Sequence, residues 1–261
     1  MKPILQRHLP YDPLNPRPLP GVLPLAEGDW LRVDEAFGGQ MARREALLAD
    51  VRDKVIALDE RARPAAEELL DEVVAAQLEK PGFICEAGAI RRPDGGLVRL
   101  DKADPLVSAG RLAQEDFCLL EQREGESEHV LTGAVLCFPA SWSLQEKFMR
   151  PLIGVHDTVA EYDAGLANRV QRLFDGVQKG RALWRFNALW YETPELYQPR
   201  REEDRREDRK SVQADFLRSE LQTLRRLPKT GAVTFGIHTY VLRAQDVAGC
   251  SGAGVNPTAP D

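Results

Sequence analysis

Two segments of this chain alternate so strictly that they constrain what it can fold into. In Leu183–Tyr191, Trp184, Phe186, Ala188 and Trp190 point one way, and Arg185, Asn187, Leu189 and Tyr191 the other. In Ala232–Leu242, Val233, Phe235, Ile237, Thr239 and Val241 oppose Thr234, Gly236, His238 and Tyr240. Successive side chains of a strand face opposite sides, so this period of two predicts sheet strands with chemically distinct faces. Asp116–Leu120 and Val130–Phe138 read as a hairpin joined by the acidic loop 121–128. Arg92-Pro-Asp-Gly-Gly-Leu97 is a turn signal between two further short strands.

Helical spacing frames these strands. Phe37, Met41, Leu47, Leu48, Val51, Val55 and Leu58 predict a helix from Asp34 to about Glu60. A second should begin near Pro64, a residue tolerated in a first turn, with Leu69, Leu70, Val73, Val74 and Leu78 on its buried stripe. Tyr162, Leu166, Val170, Leu173, Phe174 and Val177 mark a third helix, and Val212, Phe216, Leu217, Leu221 and Leu224 a fourth. Arg200–Lys210 carries six basic and five acidic residues, a balance expected of a solvated helix start laced with ion pairs. Helices followed by antiparallel strands with helices between them give an α+β class. The expected organisation is a proline-rich extended arm (1–29) draped over the body, one domain (30–243) and a disordered tail (244–261).

The bulk properties exclude more than they assign. A formal net charge of −6 disfavours nucleic acid as a partner, because phosphate binding needs a basic face. Cys85, Cys118, Cys137 and Cys250 are widely spaced, which suits reduced thiols better than a disulfide frame or a zinc or iron–sulfur site. The N-terminal 25 residues lack the continuous apolar core of a signal peptide, and no run reaches the ~18 apolar residues of a membrane span. A cytoplasmic protein without membrane attachment is expected. Neither G-x-G-x-x-G after a strand nor G-x-x-x-x-G-K-[ST] occurs, so NADPH or flavin would have to sit on a partner subunit. G-x-S-x-G and H-E-x-x-H are missing as well.

Four histidines remain as specific candidates. His8, in the arm, and His129, in the acidic loop, are expected to face solvent; His238, beside Tyr240, suits a hydrogen-bonded core or a pocket. His156 ends the apolar, proline-interrupted stretch Trp142–His156, with Lys147 and Arg150 upstream and the capping-box sequence Thr158-Val-Ala-Glu161 after it. That setting suits an axial ligand to a flat, anionic, largely apolar cofactor such as haem, and it equally suits a structural imidazole.

Several segments taken together resemble a known family. They are Asp29-Trp30-Leu31; Leu100-Asp-Lys-Ala-Asp-Pro-Leu; Glu115-Asp-Phe-Cys-Leu-Leu; Leu136-Cys-Phe-Pro-Ala-Ser-Trp142; Lys147–His156; Arg185-Phe-Asn187; Phe216–Pro228; and Phe235-Gly-Ile-His-Thr-Tyr240. Spread over residues 18 to 242 in one order, they are similar to the haem-binding subunit of the haem-dependent oxidative N-demethylases. The resemblance implies a PAS-like α+β fold, a b-type haem, and electrons from a separate reductase or ferredoxin-like subunit carrying NADPH, flavin or iron–sulfur. It implies a small alkylamine and O2 as substrates, and attack on an N-methyl C–H bond to give a carbinolamine that breaks down to formaldehyde.

On that resemblance His156 is the iron ligand, with Lys147, Arg150, Ile153 and Val155 as haem-binding residues, the two cations neutralising propionates. Met149 reads as gap-filling core. Arg185, Asn187 and His238 would be the catalytic polar groups, donating hydrogen bonds to oxygen and relaying protons; Trp190, Tyr191 and Glu192 are candidates for holding a cationic amine. Two positions depart from the family pattern: His238 stands where arginine is usual, and Ala188 where tryptophan follows the asparagine. A haem or small-molecule sensor without turnover is the competing reading.

Overall fold

The computed structural model describes residues 2–156, 164–201 and 214–247. In chain order the elements are β1 (Leu23–Pro24), α1 (Phe37–Asp50), α2 (Arg52–Val55), β2 (Ile56–Leu58), α3 (Arg63–Leu78), β3 (Ile84–Glu86), β4 (Ala89–Arg91), β5 (Leu97–Arg99), α4 (Pro105–Leu112), β6 (Asp116–Glu121) and β7 (Val130–Val135). They continue with α5 (Leu144–Lys147), α6 (Leu152–His156), α7 (Ala164–Gly176), β8 (Leu183–Tyr191), β9 (Phe216–Arg226), β10 (Val233–Arg243) and α8 (Ala244–Val247).

Among the described residues, seven strands form one antiparallel sheet in the order β1-β8-β9-β10-β6-β7-β2, and β3-β4-β5 form a small second sheet. The mixture of helices with antiparallel sheet is the expected α+β class. Both alternating segments are strands, β8 matching its predicted bounds. The turn at Arg92–Leu97 joins β4 to β5, and β6 pairs with β7 as a hairpin. Pro64 sits in the first turn of α3. The first predicted helix breaks earlier than its periodicity suggests: after Val51 the chain makes one more turn, then pairs Ile56–Leu58 with β7.

One expectation fails outright. The apolar spacing of Phe216, Leu217, Leu221 and Leu224 predicted a helix, yet these residues lie in β9, the strand between β8 and β10. Two long partners satisfy its backbone on both sides, and tertiary pairing of this kind outweighs a helical spacing. Val212 and most of the charge run (202–210) lie outside the described residues, as do the capping-box segment 157–163 and residues 248–261.

The sheet has two covered faces. On the first, Met41 of α1, Leu69 of α3 and Leu106 of α4 pack with Phe117 and Leu119. Leu9 and Tyr11 cover the same face farther along, against Leu217, Leu221, Tyr240 and Leu242. Tyr11 stacks on Phe186 at 4.3 Å between ring centroids, and its hydroxyl lies 2.9 Å from Ser219 Oγ. On the second face, Leu152 of α6 and Phe174 of α7 pack with Cys118, Leu120, Leu224 and Ile237. Beyond the end of β6, Gln6 completes the free edge of β10: its backbone N–H donates to Val241 O, its Oε1 accepts from Val241 N, and its Nε2 donates to Thr239 O. Ala244–Val247 forms a short helix with Val247 buried.

Candidate functional site on the second face of the sheet

The stretch Trp142–His156 is anchored to an open strand edge. Leu131 N–H donates to Arg150 O and Met149 N–H to Leu131 O, while Leu152 N–H donates to His129 O. This makes Val130 and Pro151 bridge partners, and it sets α6 down on the second face. Met149 turns the chain with φ +62° and is 38% exposed, so it is a turn residue, not core filler. Leu152 is buried, and Val155 packs against the same apolar cluster as Phe235 and Ile237. Ile153 faces outward at 44% exposure. Lys147 is fully buried, with Nζ 3.4 Å from Gly154 O; Arg150 is half-buried. His156 closes α6, and its side chain lies outside the described residues.

Beside this helix the sheet presents a polar floor. Strand register places Arg185 opposite Gln222, Asn187 opposite Glu220 and Leu189 opposite Arg218; directly paired residues share a face. Gln222 pairs in turn with Ile237, which packs with Leu152 and Val155. The floor is therefore on the same face as α6. Arg185 Nη1 donates to Gln222 Oε1 (3.0 Å), and Gln222 Nε2 donates to Glu220 Oε2 (3.1 Å). Asn187 Nδ2 donates to the same Glu220 oxygen (3.1 Å), and Asn187 Oδ1 accepts from Glu220 N (3.2 Å). Arg218 lies 3.6 Å from Glu220 Oε1, but Nη1 and Nη2 already donate to Leu196 O (2.8 Å) and Phe138 O (2.5 Å).

The floor keeps unused donors. The buried Nε atoms of Arg185 and Arg218 have no partner among the described residues. Burial pulls the Arg185 guanidinium below its ordinary pKa, and Glu220 offsets this in part. A buried donor left unbonded carries a desolvation penalty of about 1–3 kcal/mol, which an acceptor arriving with a ligand would relieve.

His238 is not part of this floor. It pairs with Leu221 and so points to the first face, opposite to Arg185 and Asn187. There it is 1% exposed, with Nδ1 2.9 Å from Glu115 Oε1 and Nε2 3.0 Å from Asp34 Oδ2. Burial alone would push the imidazole pKa down; the two carboxylates outweigh it and raise the value to about 9. Gln6 and Gln114 each donate to Asp34, and Arg32 N–H donates to Glu115. Both ring nitrogens are occupied, so the side chain has no donor to spare for a ligand. Ala188 also faces this side, packing near Tyr11 and Phe186. Both departures from the family pattern thus lie away from the floor.

One further expectation is corrected. His129 is buried, not solvent-facing: its ring lies against Phe174, its Nδ1 is 2.9 Å from Gln171 Nε2, and burial lowers its pKa. Trp190 and Tyr191, two of the candidates for holding an amine, point to opposite faces, the first partly exposed and the second buried. Glu220, Gln222 and Arg218 were missed because their segment was read as a helix. The signal was present in the alternation Arg218, Glu220, Gln222 against Leu217, Ser219, Leu221.

On the second face of this α+β fold the polar floor and the apolar residues of α6 lie side by side against the sheet. Residues 21–254 match the family model described as haem-dependent oxidative N-demethylase, alpha subunit-like, and the chain belongs to that family. The description of that family implies haem dependence and oxidative N-demethylase-like chemistry, and its words alpha subunit-like point to a multi-subunit system. The residues fit such a group: Leu152, Val155 and Ile237 offer an apolar wall, and Arg185 holds an unused donor. No described helix is long and apolar enough to cross a membrane.

Proposed function

We propose that this chain is the haem-carrying component of a monooxygenase that removes an N-methyl group from a small amine as formaldehyde, using O2 and electrons from a separate reductase or ferredoxin-like subunit. The observation that carries the reading is the polar floor, which lies on the sheet face that α6 covers. When bound, the haem, of b type, supplies oxygen activation and C–H oxidation. His156, one residue beyond Val155 of the apolar wall, would hold the iron as a neutral imidazole. Lys147 and Arg150 would offset propionate charge, while Val155 and, at the rim, Ile153 would shield the ring from water. Arg185 and Asn187 would orient the substrate, held in place by Gln222 and Glu220. An antiparallel sheet with helices over the ligand-bearing face supports the PAS-like reading.

An absorption spectrum of the purified chain reconstituted with haemin tests this. A Soret band in the wild type, its loss in His156→Ala, and formaldehyde release from a methylated amine with a reductant are the expected results. A Soret band unaffected by His156→Ala would remove that residue as ligand. Haem binding without formaldehyde from any secondary or tertiary amine would instead make the chain a haem-binding or sensor protein.

A further inference from the structure

The charges on the floor are arranged in an unusual way. Arg185 and Glu220 could collapse into an ion pair, yet Gln222 stands between them, accepting from one and donating to the other. Asn187 holds Glu220 from the far side. Among the described residues Arg218 is the cation paired with Glu220, at 3.6 Å, and both its terminal nitrogens already donate to backbone carbonyls. Counting Arg185, Arg218 and Glu220, the floor carries one more positive than negative charge. A simple alkylammonium would add to that excess. A zwitterion would not, because it brings its own carboxylate.

We propose that the floor binds an N-methylated amino acid, with the carboxylate on Arg185 and the ammonium group on Glu220, steadied by Asn187. This rests on the oxygenase reading above and narrows its substrate class from amines in general to amines bearing a carboxylate. Arg185 and Glu220 are diagonal neighbours across β8 and β9, a relation that spans about 7–8 Å. A charge-assisted hydrogen bond of about 2.8 Å at each end fits the short distance between nitrogen and carboxylate in an α-amino acid. The guanidinium is planar and forked, and its buried Nε is unused, so it can receive a carboxylate through two parallel bonds. Glu220, 7% exposed, offers Oε1, for which the long Arg218 contact is the one competitor among the described residues.

The test is calorimetric titration of the haem-loaded full chain with N,N-dimethylglycine and, separately, dimethylammonium chloride, at neutral pH and fixed ionic strength. The wild type should favour dimethylglycine by about tenfold or more. Arg185→Gln should collapse that ratio, and Glu220→Gln should weaken dimethylglycine by a similar factor while the Soret band persists. Equal affinities in the wild type, binding of neither compound, or an Arg185→Gln protein that keeps the ratio would overturn the proposal. So would an Arg185→Gln protein that loses haem with the ratio intact, since the carboxylate on Arg185 would then be the cofactor's. If either variant fails to fold, the wild-type ratio decides alone. A chain with no Soret band that still shows the preference would sink the oxygenase reading and leave this one standing.

Discussion

His238 Nδ1 lies 2.9 Å from Glu115 Oε1, both side chains sealed from solvent on the face of the sheet opposite to the candidate site. With Asp34 on its other nitrogen, the imidazole is a charged bridge between two carboxylates. It ties β10 to the segment that precedes α1, and through Gln6 to the residues near the N-terminus.

That bridge makes stability depend on alkaline pH. The folded pKa of His238 is raised from 6.5 to about 9, so its contribution is fully present below pH 6.5 and is lost as pH rises through about 9. The shift corresponds to about 3 kcal/mol at most. Asp34 has the opposite sign: its pKa is lowered by the hydrogen bond and charge of His238 against the effect of burial, so its contribution disappears as pH falls below the usual carboxylate range. Urea unfolding at pH 6, 7.5 and 9.5 should show the wild type losing stability and His238→Gln changing far less. Parallel profiles for the two proteins would refute the coupling.

Gln6 carries the second prediction. Gln6→Ala removes the partner of Val241 N–H, one of two side-chain donors to Thr239 O, and a donor to Asp34. A loss of about 2 kcal/mol is expected, together with faster amide exchange at Val241. Unchanged exchange there would mean that the arm does not protect this edge.

Gly110 is set by a close approach. A Cβ at this position of α4 would sit 2.6 Å from Val135 Cγ2 on β7. Alanine normally favours a helix by about 1 kcal/mol over glycine. Here overpacking should reverse the sign, and Gly110→Ala should destabilise by about 1–3 kcal/mol in thermal unfolding. Adding Val135→Ala should recover part of the loss; a stabilised single variant would contradict the contact.

Arg44 and Asp116 form a 2.6 Å ion pair at 0% exposure, and Asp116 also accepts from the Cys137 and Phe138 amides. Arg44→Met leaves that carboxylate buried without its cation, at a cost of about 3–5 kcal/mol. Denaturant titration reads this directly, and a change below about 1 kcal/mol would show that water replaces the guanidinium.

Sequence alone determined the local order: Leu183–Tyr191 and Ala232–Leu242 alternate with period two, Pro64 marks a helix start, and Arg92–Leu97 a turn, each signal lying within a few residues of its effect. The face shared by Arg185 and Asn187 and the family membership were legible in the sequence as well. Tertiary structure decided the rest. Phe216–Arg226 became a strand because β8 and β10 supply its hydrogen bonds, and nothing within the segment announces those partners. His238 went to the far face because strand register, which is a relation between segments, sets where a side chain points. Glu220 and Gln222 joined the floor for the same reason, their value lying in contacts with Asn187 and Arg185 more than thirty residues away along the chain.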